Sequence, residues 1–176
     1  LIMHTNPKDP YGQDLHVIVR ELGMNKGQIL FSTQKIDLAK LGMLYNFVDC
    51  TINISDAEGF GLSTFESLAC GTPIIVTMTG GLQEQVTNGE EWFGIGLEPC
   101  SKSIIGSQEV PYIYEDRLSE EEVVNALMKM YNMTREERKE MGARGREHVL
   151  KNYGHESFVK KWDKLFTDIY EKNGSW

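Results

Sequence analysis

The sequence is short of long apolar runs, of cysteine and of positive charge. No stretch approaches the ~18 consecutive apolar residues that a membrane-spanning helix needs, and no signal peptide is visible. The three cysteines, Cys50, Cys70 and Cys100, are odd in number and have no metal-ligand spacing. Cys50 sits in an apolar run and Cys70 at a helix end, which suits reduced, packed thiols. A cytoplasmic protein is therefore expected, with membrane contact no more than peripheral. Eighteen Lys and Arg stand against 26 Asp and Glu, a net charge of −8. With so little to offset phosphate repulsion, a nucleic-acid partner is not expected. The basic run Lys151–Lys164 is interleaved with acids and reads as a solvated helix face. No Asp-x-Asp pair is present, and His4 and His16 have no partner in metal spacing, so no metal ligand is assigned.

What the chain does have is a dense stretch at residues 58–81, EGFGLSTFESLACGTPIIVTMTGG. Val48 to Ser55 before it reads as a strand, and Pro73 to Met78 within it, β-branched and apolar, as a buried one. Between them lies a glycine turn and a short helix from about Leu62 that ends at Gly71. The order is strand, turn, helix, strand. Gly59 and Gly61 permit backbone conformations and close approaches that a Cβ would block. The unpaired amides and positive dipole end of the helix then face out of the turn, where a phosphate or diphosphate can lie. Leu62, Phe65, Leu68 and Ala69 share the sheet-facing stripe. Glu58 lies just before the turn and Glu66 about one helical turn into the helix. Carboxylates do not bind phosphate, but they accept hydrogen bonds from sugar hydroxyls on either side of one.

GFGLST is also a near miss to the dinucleotide pattern G-x-G-x-x-G, with Thr64 in the third glycine place. That pattern wants an acid at the end of the next strand, where Thr77, Met78 and Thr79 stand. A nicotinamide or flavin site is disfavoured accordingly.

Glu58 and Glu66 are separated by seven residues, and EGFGLSTFESLACGTPIIV followed by GGLQEQV resembles the E-x7-E signature of retaining GT-B glycosyltransferases of family 4, also called group 1. The similarity is concentrated in residues 48–89. It implies that Glu66 holds the donor's ribose hydroxyls, that Glu58 sits as the catalytic carboxylate by the transferred sugar, and that the backbone of Gly59, Phe60, Gly61, Leu62 and Ser63 cradles the diphosphate. It also implies that Gly80, Gly81 and Leu82 lie close to the sugar and diphosphate. The loop Thr33 and Gln34 would approach the nucleotide base. The fold implied is an open, mostly parallel Rossmann-like α/β sheet with flanking helices, the C-terminal half of a GT-B fold. The nucleotide-diphosphate sugar is the substrate, and no cofactor or metal is implied.

Elsewhere the chain reads as one domain over residues 1–176, helical in its last third (119–172). Leu1 to Thr5 and Gln28 to Ser32 read as strands, with a helix over Asp14–Leu22 that stops at Gly23. Ile36 to Tyr45 reads as a helix with Leu38, Leu41 and Tyr45 facing inward, and Trp92 to Leu97 as a last strand. Glu98 to Arg117 shows no sustained periodicity and is read as a long loop, either a surface excursion or a flap toward the acceptor. Ser119-x-x-Glu122 and Thr134-x-x-Glu137 have capping-box form. The first opens a helix with Val123, Val124, Leu127, Met130 and Tyr131 along one side, and the second opens a helix poor in apolar residues and expected at the periphery. A final helix carries Phe158, Trp162, Leu165, Phe166 and Ile169 as a core or interface stripe.

Leu1 matches the second strand of the resembling domain, so its first strand, with the basic residues it brings to the diphosphate, has no counterpart. Two explanations stay open: a fragment of a longer chain that includes an N-terminal acceptor domain, or self-association through an exposed sheet edge. The expected function is donor binding within a hexosyltransferase, with little or no activity from this chain alone. A non-catalytic nucleotide-sugar-binding module and a GT-B-like epimerase or phosphorylase domain remain alternatives.

Overall fold

A computed structural model describes residues 1–174, which divide into two compact units, Leu1–Leu38 and a second beginning at Ala39. In the first unit, β1 (Ile2–His4) and β2 (Leu30–Ser32) pair in parallel, Ile2 opposite Leu30. The crossover is α1 (Leu15–Glu21), opened by Asp14, whose carboxylate accepts from the N–H groups of His16 and Val17. It closes where Gly23 predicts: the amides of Gly23 and Met24 donate back to the carbonyls of Arg20 and Val19. The β2 strand starts later than expected because Gln28 folds into the preceding turn, its side-chain oxygen accepting from Lys26 N–H. Both histidines have local partners, His4 at Ser32 Oγ (2.9 Å) and His16 edge-on to Phe31.

The second unit is built on three parallel strands in the order β3 (Thr51–Asn53), β4 (Ile74–Thr77), β5 (Gly94–Leu97). The central strand is buried along its whole length, which is why it reads as an unbroken β-branched run rather than an alternation. Successive side chains point to opposite faces. Ile74 and Val76 pack with Leu68, Leu82, Val86, Phe93 and Val149 on one side. Ile75 packs with Ile95, Leu97, Ala126, Met130 and Met141 on the other. Helices therefore cover both faces: α3 (Leu62–Ala69), α4 (Leu82–Val86) and α6 (Arg135–Tyr153) supply the first cluster, α5 (Glu120–Asn132) with Met141 of α6 the second. The connection before β3 is α2 (Leu38–Phe47), which starts and ends two residues later than the sequence suggests, so Val48–Cys50 bend into β3 rather than form a strand. The other end of β3 is cut short by Asn53, whose Oδ1 accepts from the N–H and hydroxyl of Ser55.

Four local expectations are corrected. Residues 98–117 are not a loop but contain an antiparallel hairpin, β6 (Ser101–Ile105) with β7 (Ile113–Arg117), fastened to the β3–α3 connection by Arg117 Nη1 to Asp56 Oδ2 at 2.6 Å and by Asp116 N–H to Asp56 O at 2.7 Å. Its strands are solvated over much of both faces, so they lack the alternation that marks a half-buried strand. Leu38 and Leu62, at 82% and 69% exposed, lie at helix starts and point to solvent. On α5 the covered residues are Ala126 and Met130, with Val123 half-buried, while Val124, Leu127 and Tyr131 are exposed.

The largest correction concerns α6, which is central rather than peripheral. It buries Met141, Gly142, Gly145 and Val149. A Cβ on Gly142 would lie 1.9 Å from the Gly71 carbonyl oxygen, and one on Gly145 2.6 Å from Leu68. The helix lies against α3 because it has no side chains there, a feature that hydrophobic periodicity does not register. Arg146 donates to the carbonyl of Ala69 and closes the end of α3. Last comes α7 (His155–Asn173), whose stripe Phe158, Trp162, Phe166 forms a ladder of ring contacts at 5.9 and 5.4 Å. No residue of it is buried among the described residues, so the stripe is not core. Among the described residues no helix is long and apolar enough to cross a membrane.

Gly142→Ala is expected to lower stability despite its better helix propensity. Overpacking against backbone costs ~1–3 kcal/mol, the propensity gain offsets up to ~1 kcal/mol, and the net loss should appear as a fall of roughly 3–6 °C in thermal unfolding.

Candidate functional site

The turn between β3 and α3 is shaped by short polar contacts. Because Asn53 Oδ1 is occupied by Ser55, its Nδ2 faces the other way and donates to Glu58 Oε2 at 3.2 Å. Glu58 Oε1 accepts from Gly59 N–H at 3.0 Å. Gly61 caps α3 with a φ of +85°, a conformation that L side chains rarely adopt, and a Cβ there would lie 2.4 Å from Leu82. First-turn amides of a helix have no intrahelical acceptor, and here no side chain caps them either. Gly59 is different. Its φ is not left-handed and nothing lies within 4 Å of a built Cβ. The expectation that Gly59 is required by its backbone or its neighbours is therefore corrected; its missing side chain borders open space.

The second glycine turn, Thr79–Gly81, is pressed against the first. A Cβ on Gly80 would lie 1.7 Å from the Glu58 carbonyl oxygen, and one on Gly81 2.9 Å from that of Gly59. Gly81 N–H donates to Gly59 O at 3.0 Å. Leu82 is fully buried beneath Gly61. Residues 58–60 and 80–81 thus form one surface, with Gly61 and Leu82 buried beneath it. Phe60 stands at its rim, its ring 5.3 Å from Phe65 and 6.0 Å from Tyr153.

Glu66 lies half-buried on α3, where its Oε2 accepts from the Tyr45 hydroxyl at 2.9 Å. Burial first, and the Glu66 carboxylate second, push the Tyr45 phenol well above its ordinary range, so it stays a donor. Leu62 and Ser63 are exposed at the start of α3, while Thr33 and Gln34 are exposed residues of the first unit, just after β2. Glu84 is the first-turn acid of α4, and Tyr153 OH lies 3.4 Å from its carboxylate.

Three residues that hold this surface were not singled out from sequence. Tyr45 is read there as a core residue, and Asn53 as part of a strand; neither has a local signal. Gln85 does have one, since it shares the i, i+3, i+4 stripe of Leu82 and Val86 and is polar where its neighbours are apolar. It is fully buried, and with Thr64 it reaches the carbonyls of the turn.

Residues 10–148 match the family model described as glycosyl transferases group 1. The chain is similar to the N-acetyl-alpha-D-glucosaminyl L-malate synthase of Bacillus anthracis, 25% identical over 149 residues that cover 84% of this chain and 33% of that protein. It therefore spans about a third of the length of that relative. Its fold is similar to that of sucrose-phosphate synthase from Thermosynechococcus elongatus, with a TM-score of 0.70 at 22% identity over 98% of this chain and 38% of the other. It is also similar to the C-terminal domain of a glycosyl transferase group 1 family protein from Francisella tularensis, with a TM-score of 0.58 at 22% identity over 81% of this chain and 62% of that one. The fold is thus the α/β arrangement of GT-B glycosyltransferase domains, and with most of its length matched the chain belongs to the glycosyl transferases group 1 family.

Proposed function

We propose that this chain is the C-terminal, nucleotide-sugar-binding half of a retaining glycosyltransferase. In this reading it acts with an N-terminal domain that holds the acceptor, and a hexose passes from donor to acceptor between them. Glu66 grips the ribose of the donor and Glu58 positions the transferred sugar. The amides of residues 60–63 and the dipole of α3 stabilise the diphosphate as negative charge develops on it. No metal or cofactor is given a part, and retention follows a front-face or short-lived ion-pair route.

One observation supports this reading above the others. Two carboxylates flank a single glycine turn, and each is held by neutral donors: Glu58 by Asn53 and its neighbouring amide, Glu66 by Tyr45. A carboxylate oxygen held by a neutral donor can accept a further hydrogen bond, so both side chains can take sugar hydroxyls on the two sides of a diphosphate.

A thermal-shift panel of UDP-, GDP-, ADP- and dTDP-sugars, run on the chain and on Glu66→Ala, tests it. A donor at about ten times its dissociation constant adds ~1.4 kcal/mol, a rise of roughly 3–6 °C. The rise is expected with one nucleotide family and is expected to vanish in the variant. A shift that persists in Glu66→Ala would remove Glu66 from the site, and no shift with any of the four would count against the donor-site reading.

The Tyr45–Glu66 contact gives a second, ligand-free expectation. Below the ordinary tyrosine range the phenol is protonated in both states and contributes no pH dependence. Above about pH 10 the unfolded chain releases a proton that the folded chain still holds, so stability falls as pH rises. Tyr45→Phe should show a smaller fall in melting temperature between about pH 9 and about pH 11 than the unsubstituted chain. The remainder is expected from Tyr153, which burial and Glu84 also push up, from the thiols of Cys50 and Cys70, which burial pushes up, and from Tyr114, which its hydrogen bond to Tyr112 raises.

A further inference from the structure

We propose that Gln85 is a positioning residue for the donor's diphosphate, an inference that rests on the donor-site reading above. The Gln85 side chain is fully buried inside α4. Its Nε2 donates to Phe60 O at 2.5 Å and lies 3.2 Å from Gly61 O. Its Oε1 is 2.7 Å from the Thr64 hydroxyl, which shares its one proton between that oxygen and Gly61 O at 2.9 Å. Only one orientation of the amide satisfies this network, because the flipped one would set an oxygen against two carbonyls.

The consequence lies on the other side of the peptide. A trans peptide is planar, so the N–H of each residue points opposite to the C=O of the residue before it. Three successive carbonyls of the turn are drawn inward: Gly59 O by Gly81 N–H, Phe60 O by Gln85, and Gly61 O by Phe65 N–H together with Thr64 and Gln85. The amides of Phe60, Gly61 and Leu62 are thereby turned outward together. Phe60 O is the middle of the three, and the group that holds it is the Gln85 amide. Without that amide the Phe60–Gly61 peptide is free to rotate, and the Gly61 N–H leaves the set that would meet an anion.

The test measures binding of ADP, GDP and UDP, each beside its parent nucleoside, by NMR titration of the full 176-residue chain and of Gln85→Met. Methionine keeps the volume and removes both polar atoms. Ile75→Val, on the opposite face of the sheet, controls for lost stability. Gln85→Met should weaken the diphosphate that binds by ~10–150-fold, in line with one lost hydrogen bond to a charged ligand. Its nucleoside should change by less than about 2-fold, and Ile75→Val should leave both unchanged. Should Gln85→Met fail to fold, Gln85→Asn, which withdraws the amide by one methylene, carries the same expectation. Equal losses for diphosphate and nucleoside, or an unchanged diphosphate affinity, overturn the positioning role alone. If the unsubstituted chain binds none of the three diphosphates, the donor-site reading fails and this inference with it.

Discussion

Two glycine turns meet backbone to backbone, with no side chain between them, and the rest of the site depends on that contact. Gly80 lies so close to the Glu58 carbonyl that a methyl group would overlap it, and the Gly81 amide bonds to Gly59 O. The contact fixes where β3 hands over to α3, hence where the carboxylate of Glu58 stands and which way the first amides of α3 face. A second contact of the same kind lies behind α3, where Gly142 of α6 touches the Gly71 carbonyl. The helix is thus held at its front by α4 and at its back by α6. In both places close packing of main chain leaves little room for the helix to shift.

The two acids of the site are held by neutral donors. Some acids elsewhere in the second unit meet cations: Asp56 and Glu115 share Arg117, and Asp49 meets Arg138 at 3.0 Å. Glu58 and Glu66 are held instead by an amide, a backbone N–H and a phenol. A neutral donor orients a carboxylate without cancelling its charge, and a carboxylate oxygen can accept more than one hydrogen bond. Under the proposed donor-binding function, carboxylates that repel phosphate and accept from hydroxyls would give the two kinds of group on a nucleotide sugar separate places. Amides at the start of a helix suit the one, and flanking carboxylates the other.

How much of this is readable in the sequence depends on whether the determinant is local. The β4 strand and the end of α3 are local: an unbroken apolar run and Gly71, where Gly71 and Thr72 donate back to Leu68 and Ser67. The pairing of Glu58 with Glu66 is likewise visible as spacing. The position of α6 is not, because Gly142 and Gly145 pack by lacking side chains and contribute nothing to an apolar stripe. Hairpin β6–β7 escapes for a different reason, since neither of its faces is consistently dry. The hydrogen bonds that orient the site span 21 residues from Tyr45 to Glu66 and 25 from Phe60 to Gln85. Such partners are set by the parallel crossovers of the sheet, and only the folded chain brings them within reach.

Gly59 stands apart from the other glycines of the site. Gly61, Gly80 and Gly81 are needed by the protein itself, and any substitution there confuses a change in binding with a change in folding. At Gly59 the backbone is ordinary and the space ahead is clear. Its carbonyl holds Gly81, and that bond is the same whatever side chain the residue bears. The position therefore separates the two properties that are fused everywhere else in the turn. Side chains of graded size at residue 59 would measure the room around the turn as a caliper does, with the fold left as it is.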